Sequence, residues 1–202
     1  MIRTAVDLFR RKGYHATAFS DVVRHSGAPR GSIYFHFPGG KDELVREAVV
    51  AATDELEESV ALAASRATDP ASFVRAHAED VARRLADSGY ESGCAIATMV
   101  LELAPTSEEL TRQFQVSFDR WRALLVARFE EWGFPPKRAL ADAELVMAGL
   151  EGALVLSRAA RSLEPLRRTT EALVERIAAD TPAAATSTAA RRGRRAAAAK
   201  RA

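Results

Sequence analysis

The apolar positions recur at intervals of three and four along most of the chain, the spacing that gathers side chains on one face of an α-helix. Ile2, Ala5, Val6 and Phe9 share a face with Leu8 beside them, which predicts a helix over 1–12 closed by Lys12-Gly13. Phe19, Val22 and Val23 give the next helix its apolar face, with Thr17 as N-cap and Asp21 in the first turns, where a negative charge suits the helix dipole. Gly27 takes a left-handed conformation cheaply and stops that helix, and Pro29 suits the first turn of another. This third helix is predicted over 30–36, with Ile33 inward, Phe35 and Phe37 assigned to the core, and Arg30, Ser32, Tyr34 and His36 outward.

Longer periodic stretches follow. Leu44, Ala48, Ala52 and Leu56 mark a helix over 41–66, broken by Asp69-Pro70. Phe73, His77, Val81 and Leu85 mark the next, to residue 87, and a shorter helix is predicted over 93–103. Thr106-x-x-Glu109 reads as a capping box for a helix striped with Leu110, Phe114, Phe118, Trp121, Leu125, Phe129 and Trp132, which Gly133-Phe134-Pro135-Pro136 ends. From 137 to 161 another helix is apolar on more than one side over 145–157, except at Glu151, which predicts burial on more than one side and suggests a subunit interface. A last helix carries Leu166, Leu173, Val174 and Ile177. No strand is predicted, so the fold class is all-α: an N-terminal helix-turn-helix three-helix domain over 1–45 and a C-terminal helical domain over 46–180. Residues 181–202 hold Ala, Thr and Arg without a bulky apolar side chain and are expected to be a disordered basic tail.

Two short helices joined by a Gly-containing turn form the unit whose second helix enters the DNA major groove. The chemistry at 17–44 fits that use. Arg30 at the start of the second helix can pair bidentately with guanine O6 and N7. Gly31 would let backbone and DNA approach closely, and Ser32 and Tyr34 can donate to phosphates. Lys41 beside the free N–H groups of the next helix suits a phosphate, and Thr17 can touch one as well as cap.

Charge separates the chain in the same way. Residues 1–45 carry seven Lys/Arg against four Asp/Glu, a net +3; residues 181–202 carry +6; the stretch between carries −7. A basic head on an acidic body is the pattern of a DNA reader with a separate partner or ligand domain. At 202 residues and 48% hydrophobic, the chain has room for one or two small domains with a proper core. No apolar run is long enough to span a bilayer, and Arg3, Asp7, Arg10, Arg11 and Lys12 interrupt any secretory signal. The single cysteine, Cys94, excludes an internal disulfide and a Cys-cluster zinc site, and reads as a small buried hydrophobe. Together these place the protein in the cytoplasm, off the membrane.

The run Gly27-x-x-x-Gly31-Ser32-Ile33-Tyr34-Phe35-His36-Phe37, followed by Lys41-x-Glu43-Leu44, resembles the TetR family of bacterial transcription regulators. Phe37-Pro38-Gly39-Gly40-Lys41 is one residue longer than the family's usual form and is similar to the LmrA/YxaF-like branch, as is Gly93-Cys94-Ala95-Ile96-Ala97. The resemblance implies DNA contacts from Ser32, Tyr34 and His36, beside the candidates Thr17, Arg30, Gly31 and Lys41. The family usually carries several more residues, often basic, ahead of the first helix; here either the start is trimmed or the protein lacks that arm.

The resemblance also implies a homodimer formed by the last two helices, a double-stranded operator with near-palindromic symmetry, and a small, largely apolar or aromatic effector among the central helices. The effector candidates are Phe73, His77, Met99, Phe114, Phe118, Trp121, Met147 and Glu151. For His77 the other reading is a satisfied core histidine; for Glu151 it is an exposed stripe shared with Glu144 and Arg158. The function expected is a ligand-responsive repressor, and the alternative is a nonspecific architectural DNA-binding protein, which the basic tail favours. An enzyme is less expected. His15, His25, His36 and His77 lack metal-ligand spacing, and no nucleophile–base pair, phosphate loop or cofactor motif stands out. No catalytic residue, metal or cofactor is therefore assigned.

Overall fold

The computed structural model describes residues 1–29, 31–179 and 181, so the basic tail expected over 181–202 lies, apart from Thr181, outside the described residues. Nine α-helices and no strand are present among them: α1 (Ile2–Lys12), α2 (Phe19–Ser26), α3 (Ser32–His36), α4 (Gly40–Arg66), α5 (Pro70–Asp87), α6 (Ala95–Leu103), α7 (Glu108–Glu131), α8 (Pro136–Ala160) and α9 (Glu164–Ala179). None of these helices is long and apolar enough to cross a membrane.

Packing divides the described residues into two compact units, each discontinuous in sequence. One holds Met1–Glu57 and Ser88–Trp121; the other holds Glu58–Asp87 and the described residues from Arg122 onward. α4 and α7 contribute residues to both.

In the first unit the inward face of α1 (Ala5, Val6, Leu8, Phe9) packs with Val22 and Val23 of α2, Ile33 of α3, Leu44 and Ala48 of α4, and Ile96, Met99 and Leu103 of α6. Phe114 of α7 joins the same core. Polar links tie α7 to α4. Gln113 donates from Nε2 to the Arg46 carbonyl at 2.8 Å, the buried Thr53 and Ser117 hydroxyls share a hydrogen bond at 2.7 Å, and Arg120 pairs with Glu57 at 2.5 Å. Partners rise together in both helices, so these stretches run parallel.

In the second unit Phe73 meets Phe129 edge-on at 6.3 Å and Trp132 at 5.7 Å, while Phe134 packs on Phe129 at 5.4 Å. Leu166, Leu173, Val174 and Ile177 form the buried face of α9, which packs on α5 and α8. The buried Asp142 carboxylate pairs with Arg138 at 2.7 Å and Arg176 at 3.7 Å, and the buried Asp80 with Arg66 and Arg83. Along α8, Leu145, Ala148, Gly152, Val155, Leu156 and Ala159 are all exposed, an apolar stripe at helical spacing.

Several helix starts differ from the predicted ones. Ala18, not Thr17, is the N-cap of α2; Asp21 accepts from its N–H at 3.3 Å, while the Thr17 hydroxyl turns back to donate to the Gly13 carbonyl at 2.7 Å. α3 begins at Ser32 rather than 30. The Pro29 carbonyl accepts from the Ser32 N–H at 2.9 Å and its hydroxyl at 2.7 Å. At α7 the cap is Ser107, which accepts from the Leu110 N–H at 3.2 Å; the Thr106 hydroxyl donates to the Leu103 carbonyl instead. Cys94 is half-buried and serves as the N-cap of α6, accepting from the Ala97 N–H at 3.5 Å. Asp69-Pro70 is more than a break: Asp69 accepts from the Ser72 N–H and the Ser72 hydroxyl accepts from the Asp69 N–H, a reciprocal cap.

Candidate nucleic-acid interface

α2 ends where Gly27 takes φ 68 and ψ 9, a left-handed turn that needs no side chain to be accommodated. The turn leads into α3, five residues long and held by two anchors four positions apart. Ile33 is 1% exposed and Phe37 6%, both in the core of the first unit. Everything between them faces away. Tyr34 is 68% exposed, and its ring stands edge-on to Phe19 at 5.4 Å. Phe35 is 82% exposed and stacks edge-on with the exposed His36 at 5.4 Å.

Phe35 therefore does not belong to the core. Two residues beyond Ile33 a helix has turned by about 200°, so Ile33 and Phe37 can both point inward only if Phe35 points out. It is the residue that the sequence reading missed. The signal was in the spacing, overridden by the expectation that phenylalanine is buried.

The other predicted contacts separate into two groups. Gly31, Tyr34 and His36 are exposed, and Ser32 is half-buried with its hydroxyl given to the Pro29 carbonyl. Arg30 lies outside the described residues. Thr17 and Lys41 are turned into the protein. Thr17 is 1% exposed with its hydroxyl committed to Gly13. Lys41 donates from Nζ to the Tyr14 carbonyl at 2.5 Å and sits 3.8 Å above the Tyr14 ring, a cation–π arrangement. Burial pushes its amine down from the usual lysine value, while the Glu102 and Asp42 carboxylates pull it back up. The Tyr14 hydroxyl donates to Asp42 at 2.9 Å, and burial, with that hydrogen bond, pushes the phenol up to about 12. Between α2 and α3 lies an open cleft of about 630 Å³ with Val23 and Ile33 among its apolar lining and Ser20, Asp21 and Arg24 among its polar residues.

The effector candidates fall into both units. Met99, Phe114, Phe118 and Trp121 belong to the first, where Met99 and Phe114 are core and Phe118 packs against that core. Phe73, His77, Met147 and Glu151 belong to the second; Met147 and Glu151 are half-buried. His77 is 1% exposed, and burial, with the nearby Arg84 charge, lowers its imidazole to about 4, so the ring is neutral near pH 7. Among the described residues no group of three or more His, Cys, Asp or Glu side chains could hold a metal ion.

Residues 1–48 match the model of the bacterial regulatory proteins of the tetR family, and residues 70–172 match that of the C-terminal domain of LmrA/YxaF-like transcriptional regulators. An uncharacterised HTH-type transcriptional regulator of Mycobacterium tuberculosis is 38% identical over 171 residues, covering 82% of this chain and 86% of the relative. The HTH-type transcriptional regulator LmrA of Bacillus subtilis is 28% identical over 166 residues, covering 82% of this chain and 88% of LmrA. In fold, a TetR transcriptional regulator of Legionella pneumophila superposes with a TM-score of 0.78 at 18% identity, over 87% of this chain and 94% of that one.

Proposed function

This chain belongs to the TetR family of bacterial transcriptional regulators, and on that premise we propose that it is a homodimeric repressor, released from a near-palindromic operator by a small, largely apolar or aromatic effector. The observation that carries the reading is the exposed face of α3. Two aromatic rings and an imidazole stand in solvent on a helix whose other side is anchored in the core. A short helix with Tyr34, Phe35 and His36 outward, Gly31 just ahead of it and the Ser32 hydroxyl given to the Pro29 carbonyl, offers donors for phosphates from Tyr34 and His36 and apolar edges for thymine methyl groups. Residues 1–45 are the reading head in this proposal, and 46–180 carry effector binding and dimerisation. Two heads brought together by a two-fold axis would enter successive major grooves about one helical turn apart.

Dimerisation through α8 and α9 is supported by the apolar stripe from Leu145 to Ala159, which no other described residue covers. The effector would bind among the central helices, in the set around Phe73, His77, Met147 and Glu151 or in that around Met99, Phe114, Phe118 and Trp121. Its effect on DNA equals its preference for one of two states of the dimer.

Selection of genomic fragments by the purified protein at near-physiological salt tests the proposal. A shared motif with two-fold symmetry is the expected result, and that fragment then screens for ligands that release it. Binding without a motif, with a steep salt dependence, would move the function to nonspecific architectural DNA binding.

A further inference from the structure

The turn between α1 and α2 is held by side chains from two other places in the chain and by one of its own. α1 ends at Lys12, and Gly13 follows with φ 82 and ψ 175. A Cβ built on Gly13 would lie 1.8 Å from Glu102 Oε1, so the Glu102 carboxylate of α6 rests directly against bare backbone. The other carboxylate oxygen accepts the His15 N–H at 2.7 Å, across 87 positions of sequence. The Thr17 hydroxyl takes the Gly13 carbonyl, and Lys41 of α4 takes the Tyr14 carbonyl. Just ahead of α6, the Gly93 N–H donates to the Arg10 carbonyl at 3.1 Å, so the last turn of α1 is tied to the same segment.

We propose that Glu102 is a positioning residue for the DNA-reading head, a carboxylate that fixes the α1–α2 turn and through it the setting of α2 and α3 without touching DNA. This rests on the regulator reading above. A hydrogen bond from a backbone N–H to a carboxylate is charge-assisted and stronger than a neutral one. Glu102 also acts by its charge, together with Asp42, on the Lys41 amine, the group that ties this turn to the start of α4. Removing it leaves the His15 N–H without its acceptor and weakens the hold on Lys41. α2 begins four residues beyond His15, so slack in the turn passes into the pair of helices that carries Tyr34 and Phe35.

The test compares the full-length wild type, Glu102→Ala and Glu102→Gln at a temperature where circular dichroism shows all three folded. Two readouts are taken: hydrogen exchange at the His15 amide, and affinity for the duplex that the wild type selects. Glu102→Ala is expected to speed His15 exchange by about tenfold or more and to weaken binding by about tenfold, the size of one lost charge-assisted hydrogen bond. Glu102→Gln retains an acceptor oxygen and is expected to recover most of the His15 protection and most of the affinity. If Glu102→Ala binds as the wild type does, or its His15 amide stays protected, the inference is overturned. If the wild type selects no duplex, the regulator reading falls instead, while His15 exchange still reports whether Glu102 holds the turn.

Discussion

Tyr34 and Phe35 are neighbours of Ile33 on one short helix, yet the three should respond differently to truncation. Ile33 is buried, and Ile33→Ala is expected to cost about 2–5 kcal/mol of stability. Tyr34→Ala and Phe35→Ala remove exposed rings and should stay within about 0.5 kcal/mol of wild type in urea denaturation. Both should nonetheless weaken binding to the selected operator by about 1–3 kcal/mol, the worth of a base-edge contact, with the dimer intact by light scattering. Loss of the dimer in Tyr34→Ala would assign that residue to structure instead. His77 makes a second prediction at this scale. Unfolded, a histidine takes up a proton near 6.5; here burial first, then Arg84, hold the folded value near 4, with Asp80 opposing. Between those values unfolding takes up a proton, so stability falls as pH drops from 6.5 towards 4, by up to about 1.4 kcal/mol per pH unit. Thermal or urea denaturation of wild type and His77→Leu from pH 7.5 to 4.5 should show the wild type losing ground steadily over that window. Parallel curves would show that the ring is hydrated and titrates normally.

At the scale of the element, periodicity made most of the helices legible, because burial repeats along a long helix and one misplaced residue does not hide the pattern. α1, α4, α5, α7 and α8 fall close to their predicted ranges for that reason, and α9 buries the apolar residues predicted for the last helix. Helix starts were less legible, since a cap depends on a single rotamer: Thr17 and Thr106 bond backward to Gly13 and Leu103, and Ala18 and Ser107 take the cap positions. α3 spans little more than one turn, too short for periodicity to overrule residue type, so Phe35 was misassigned. Contacts between elements left no trace in a single sequence; His15 with Glu102 and Lys41 with Tyr14 are visible only once the chain is folded. The Thr53–Ser117 bond between α4 and α7 is of the same kind, and it allows a direct measurement. In either single variant the remaining hydroxyl keeps a backbone carbonyl, Val49 for Thr53 and Gln113 for Ser117, so Thr53→Val and Ser117→Ala should each cost about 0.5–1.5 kcal/mol, the net worth of one hydrogen bond. A double-mutant cycle should give a coupling of about 0.5 kcal/mol or more for the shared bond; strict additivity would show that the two carbonyl bonds satisfy the hydroxyls without it.

For the molecule as a whole, the exposed stripe on α8 is a feature that no other described residue covers. Isolated exposed apolar residues are ordinary, but Leu145, Ala148, Gly152, Val155, Leu156 and Ala159 repeat at helical spacing, with Gly and Ala giving flat places where another helix can approach closely. Leu156 is 60% exposed and makes no part of the core, so Leu156→Glu should leave the folded chain's secondary structure and helix packing unchanged while placing like charges across a two-fold interface. The expected outcome is a folded monomer by light scattering. Each of its heads would retain its groove contacts, but without a two-fold axis to hold the pair in register the affinity for a palindromic duplex should fall towards that of a single half-site, on the order of a hundredfold or more from the lost effective concentration. Binding to a duplex carrying one half-site should be nearly unchanged, and that contrast separates loss of the dimer from damage to the reading head. A variant that remains dimeric and binds the palindrome as before would put the interface elsewhere on the molecule and leave the α8 stripe without an occupant.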